Sequence, residues 1–136
     1  MGRGAPRELI VERGTRLREE VIPLFLDNLQ YLAAGHNPGM PYARPDVAAA
    51  MKEQAKKYLM DGYTCRLNLG ISETKVWGLE EGERVIVRIR MHDRSQDVDR
   101  WGQSGEPRDE LVDVWLAFDP DVRELHSARF DRLAQG

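Results

Sequence analysis

The order of elements predicts an α+β domain, with helices first and one curved, four-stranded antiparallel sheet after them. Three observations carry that prediction. Apolar residues recur at helical spacing up to about residue 60, and the period then changes to two. The chain then runs through strand-like segments at 83–93, 109–118 and 122–130, the last pair joined at a Pro120-Asp121 turn. At 136 residues the expectation is a single domain, 1–136, with a helical part over 7–61 and a sheet part over 63–131. A chain of that length buries roughly two-thirds of its unfolded surface, enough for a real core.

Over residues 7–34 the apolar positions Ile10, Leu17, Val21, Leu24, Phe25, Leu29 and Leu32 follow helical spacing. Pro23 interrupts them. It lacks an N–H and disfavours helical geometry at Ile22, so two helical pieces or one bent helix are expected. Gly35, Asn37, Pro38, Gly39 and Pro41 mark a loop. The next helix opens at Pro45, a first-turn residue, with Asp46 suited to the positive end of the dipole. Val47, Ala48, Met51, Ala55, Tyr58 and Leu59 form its apolar face, Glu53 and Lys57 an i,i+4 pair, and Gly62 its left-handed stop.

From Tyr63 apolar and polar residues alternate through Cys65, Leu67, Leu69 and Ile71. Gly70 and Ser72 suggest a bulge or bend before Val76, Trp77 and Leu79. After a turn at 80–83, Val85, Val87, Ile89 and Met91 share one face, and Arg84, Arg88, Arg90 and His92 the other. Alternation this regular describes a sheet with one dry face, turned to the helices, and one wet face. The cationic row is expected to pair with acidic neighbours across the sheet. Residues 94–108 read as a long, mobile hairpin loop.

The composition excludes several classes. A net charge of −3 gives no global field favouring nucleic acid or an anionic membrane. The start, MGRGAPRE, has no apolar region of the kind a secretory signal needs, and no apolar run is long enough to span a bilayer. A lone cysteine, Cys65, cannot form an internal disulfide and fits a reducing, cytoplasmic setting. In a strand it is expected to behave as a small buried hydrophobe.

Side chains that could carry chemistry are few. His92, Asp93, Asp97 and Asp99 are the densest set of possible ligands. A calcium loop counted from Asp93 would need glycine at its sixth position and an acid at its twelfth, where Val98 and Ser104 stand. A solvated loop is the expectation there, and no metal or cofactor is assigned. If the Pro120-Asp121 turn were a two-residue loop, Trp115 would lie opposite His126 and Asp113 opposite Ala128. An indole, a carboxylate and an imidazole would then share one patch, which suits proton transfer. The plainer alternative, a core Trp with a surface Asp and a surface His, is favoured; Trp115→Ala would then cost ~3 kcal/mol or more. Trp101, in a polar loop, either caps the sheet or contacts a partner.

The whole pattern resembles a known family. Its most telling parts are Val85–Asp93 with Asp97, Gly102 and Gly105 in the loop, the acid-x-Trp element of Asp113 and Trp115, and the returning segment 125–130. Over about residues 45–131 it is similar to the inner-membrane translocase subunit 44-like domains, within the nuclear transport factor 2-like fold group. The resemblance implies helices packed on the concave face of a strongly bent, cone-like sheet. It also implies a non-catalytic protein-binding or scaffold role, with a protein partner or self-association. Direct membrane docking is not expected, because the chain has no basic membrane-targeting segment. The wider fold group also includes small-molecule enzymes of isomerase, dehydratase and cyclase type, which use the pocket between helices and sheet. For that alternative the candidates are Tyr63, Asp113, Trp115 and His126, with Tyr31 or Tyr58 from the helices.

Overall fold

A computed structural model describes residues 6–60 and 62–135, without the side chains of 57–60 and 134–135. Helix α1 spans Arg7–Thr15, α2 Ile22–Ala33 and α3 Pro45–Met60. Strands β1 (Thr64–Arg66), β2 (Leu69–Trp77), β3 (Val85–Asp93), β4 (Gln96–Val98), β5 (Glu110–Phe118) and β6 (Leu125–Gln135) follow. The α+β class and the helices-first order are as the sequence predicts. The main sheet is open and antiparallel, in the order β2-β3-β5-β6, and β1 pairs with β4 in a separate two-stranded sheet.

Pro23 produces neither a break nor a sharp stop. Residues Arg16–Val21 form a π-helical turn that joins α1 to α2. The Ile22 N–H bonds to the Leu17 carbonyl, five residues back. The wider turn just before Pro23 takes up the missing N–H and the bulk of the ring. Leu17, Val21, Phe25 and Leu32 of this composite helix are buried, as are Val47 and Met51 of α3. Gly62 has a φ of +84°, the left-handed geometry expected after α3. The expected Glu53–Lys57 pair falls on a side chain outside the described residues.

Strand β3 alternates buried and half-buried residues along its whole length. Val85, Val87, Ile89 and Met91 meet Val112, Val114, Leu116 and Phe118 of β5 on the helix side. Each such side chain stabilises the fold by roughly 1.5–3 kcal/mol through burial. Phe25 stacks on Phe130 with ring centroids 6.3 Å apart, tying α2 to β6. The Tyr42 hydroxyl donates to Asn28 Oδ1 at 2.6 Å inside this layer, and burial raises the phenol above its ordinary pKa. The expected bend near Gly70 and Ser72 is a register shift between Ile71 and Glu73. After β2 the hairpin depends on Gly78, at φ +93°, where a Cβ would lie 2.2 Å from the Arg84 carbonyl.

Three expectations need correction. Segment 94–108 is not a free loop: β4 within it pairs with β1, and the Gly105 N–H bonds to the Asp97 carbonyl at 2.8 Å. The turn after β5 is longer than two residues. Phe118 pairs with Leu125, leaving six residues between them. Asp119 shapes this loop by accepting N–H bonds from Asp121, Arg123 and Glu124. Val122, expected at the start of the last strand, instead has a φ of +55° and a fully buried side chain. Among the described residues, no helix is long and apolar enough to cross a membrane.

Candidate ligand cleft between helices and sheet

The loop length decides which residues share a face. Trp115 lies opposite Arg129, and Asp113 opposite Asp131. Relative to the two-residue turn, this moves the partner of Trp115 from 126 to 129, an odd shift that reverses facing. His126 therefore does not join Trp115; it contacts Glu124 at 3.1 Å.

Asp113 and Trp115 alternate with the core residues Val112, Val114 and Leu116, so they lie on the sheet face turned away from the helices. Trp115 is half-buried and stacks on Trp77, with centroids 5.9 Å apart and planes 15° from parallel, and Arg129 lies over its ring. Asp113 is only 5% exposed. Arg90 Nε donates to Asp113 Oδ1 at 2.9 Å and Nη2 to Oδ2 at 3.0 Å, a two-pronged pair. Arg90 holds the carboxyl below its ordinary pKa, against the opposing effect of burial, with Arg88 adding to the field. Arg88 itself pairs with Glu73, so Arg88 and Arg90 of the cationic row are paired across the sheet as expected.

The remaining candidates are dispersed. Tyr63 is exposed, and Tyr31 is exposed with its ring edge against His36. The side chain of Tyr58 is outside the described residues. Trp101 is 78% exposed, so it does not cap the sheet. Its loop is nonetheless shaped, because Asp99 Oδ1 accepts the N–H groups of Trp101 and Gln103, both at 2.9 Å.

The space between helices and sheet is lined by other residues. A cleft of about 620 Å³ opens there, with walls from Leu29, Leu32 and Ala33 of α2 and Met51, Gln54 and Ala55 of α3. Its floor is Leu67, Leu69, Met91, Val112 and Phe130. Cys65, Asp93, Arg108 and Arg132 supply its polar end. Pockets of roughly 300–1,000 Å³ with apolar walls and a few polar groups are typical of small-molecule sites.

Asp93 organises that polar end. It is the last residue of β3, continues the buried series of Val85, Val87, Ile89 and Met91, and is 4% exposed. The Ser95 N–H donates to its Oδ1 at 2.9 Å, and the buried Ser95 hydroxyl accepts the Asn68 N–H. Its Oδ2 lies 3.5 Å from Arg132 Nη1 and 3.9 Å from Arg108 Nη1. Burial works against the charge of Asp93. The Ser95 hydroxyl and N–H, with Arg108 and Arg132, outweigh it and leave the carboxyl below its ordinary pKa.

Both guanidiniums have another carboxylate as well. Arg108 pairs with Asp97, and Arg132 with Glu110. Arg108 Nη1 also donates to Cys65 Sγ at 3.3 Å. Cys65 is therefore half-buried at the cleft and hydrogen-bonded, not a simple core hydrophobe. The signal for Asp93 was present in the sequence, since residue 93 has the parity of 85, 87, 89 and 91. Grouping it with the acids of the following loop hid that parity.

No protein-family model matches the chain, and no curated protein matches it. Among solved structures, a de novo β-sheet design protein determined by solution NMR is similar at 18% identity and a TM-score of 0.44. The match covers 93% of this chain and 90% of the design. A likeness that distant carries no argument about function.

Proposed function

We propose that the protein binds an apolar small molecule in the cleft between its helices and its sheet, as a carrier or sensor and not as a catalyst. The observation that carries this reading is the cleft itself, about 620 Å³ of mainly apolar wall ending at the buried Asp93. An apolar ligand there would cover Leu29, Ala55, Leu69 and Phe130, surface that otherwise meets water. Binding without proton transfer is favoured because Asp93 has a lowered pKa and is a weak base at neutral pH. The reading takes the sheet to be bent in the cone-like manner that the translocase-like resemblance implies. Register shifts at Ile71/Glu73, Glu110/Val112 and Ala117/Phe118 support that bend.

The test is uptake of N-phenyl-1-naphthylamine, whose fluorescence rises in apolar surroundings. The protein should enhance it, and Ala55→Trp, which fills the cleft from α3, should abolish the enhancement. No enhancement by the unaltered protein, or full enhancement by the Ala55→Trp variant, would sink the reading.

A second reading, closer to the translocase-like resemblance, is protein contact or self-association through the Trp101 loop. Its support is a large apolar ring held in water by a loop that Asp99 shapes. Sedimentation of the protein and of Trp101→Ala decides the self-association arm: equal monomer masses would remove it.

A further inference from the structure

We infer that the cleft selects an apolar molecule ending in a hydrogen-bond donor, an alcohol or a protonated amine, and discriminates against carboxylic acids. This rests on the cleft reading above and specifies its ligand class. The polar end of an apolar cleft fixes the orientation of what enters it. Here that end presents a buried carboxylate, Asp93, whose Oδ2 faces its two guanidiniums at 3.5 and 3.9 Å. The 3.5 Å contact from Arg132 is a long hydrogen bond, against about 2.7–2.9 Å for a short charge-assisted one, and a carboxylate oxygen can accept two, so Oδ2 keeps a lone pair for a donor arriving through the cleft. Oδ1, by contrast, holds the Ser95 N–H at 2.9 Å.

The two arginines at the cleft do not make it a site for fatty acids. Arg108 is engaged by Asp97 and Arg132 by Glu110, so three carboxylates, with Asp93, already share two guanidiniums. An incoming carboxylate would have to displace Asp97 or Glu110 and would sit beside Asp93, charge against like charge. A hydroxyl meets no such opposition, and an ammonium gains from the local excess of negative charge.

The test uses four probes of one chain length, below their micellar concentrations at pH 7: decanol, decylamine, decanoate and decyl methyl ether. Each is titrated against bound N-phenyl-1-naphthylamine. At least one of decanol and decylamine should bind about tenfold more tightly than both decanoate and the ether. Which of the two leads tells whether the natural head is neutral or cationic. Decanoate matching or exceeding both donors would overturn the inference, and so would an ether as tight as the donors. In either case the cleft would still be a binding site. If neither the fluorophore nor any probe binds, the cleft reading falls, and this inference with it. Asp93→Asn should shrink the gap between decylamine and decanoate. The probe series decides the matter in the unaltered protein, whether or not that variant folds.

Discussion

The two faces of the sheet each hold a buried aspartate beside arginine, and the two pairs are built differently. Asp113, on the face away from the helices, meets Arg90 in two direct bonds of 2.9 and 3.0 Å. Asp93, on the helix face, has its guanidiniums at 3.5 and 3.9 Å and leans on Ser95. The same chemistry therefore ends in a closed pair on one side and an open acceptor on the other. Burial and charge alone do not mark a binding residue; the share of its hydrogen-bonding capacity already taken does.

The largest effect should come from the helix face, where packing closes the structure. Phe25→Ala should cost about 3–5 kcal/mol in urea unfolding, because Phe25 is fully buried and stacked on Phe130. Trp115→Ala should cost less, about 1–2 kcal/mol, since the indole is half-buried against Trp77 and Arg129. Equal losses for the two would mean that the outer face is as much a core as the inner one.

The aspartates sharpen the contrast through pH. Both carboxyls have folded pKa values below the ordinary one. The stability they contribute is thus whole above their unfolded value, about 3.9, and is lost as pH falls through the folded values. Asp113→Asn should lower the melting temperature at pH 7, with the difference from the unaltered protein shrinking as pH falls below the unfolded value and through the lower folded one. A difference independent of pH would refute the ion-pair account. Asp93→Asn should have the smallest effect on stability, about 1 kcal/mol or less. Asn can still accept from Ser95, and Arg108 and Arg132 keep Asp97 and Glu110.

Much of this architecture was legible in the residues. Pro45, the apolar face of α3 and Gly62 locate one helix, and the alternation from Val85 to Met91 gives both faces of β3. These are local signals. What stayed hidden depends on contacts distant in sequence or on turn geometry. Strand β1 lies within the alternation that starts at Tyr63, but its partner β4 is three residues long and carries no periodicity of its own. The register of β6 was set by Asp119 gathering three N–H groups and by Val122 turning inward. A six-residue turn in place of two removed His126 from Trp115 and dissolved the acid–base patch that a two-residue turn would have made. Asp93 could have been found by extending the parity of β3 by one step.

The π-helical turn at Arg16–Val21 acts as a rotational spacer. It holds one residue more than an α-helical path would need, and each residue of an α-helix turns the chain by about 100°. Deleting a single residue there would leave the helix continuous but swing α1 about its axis. Arg13 would leave Asp121, which it now contacts at 2.8 Å, and Gly14 would leave the side of Leu79. Which side of α1 meets Leu79 and Asp121 is thus encoded in the length of that turn, and a one-residue deletion there would be felt where surface substitutions would pass.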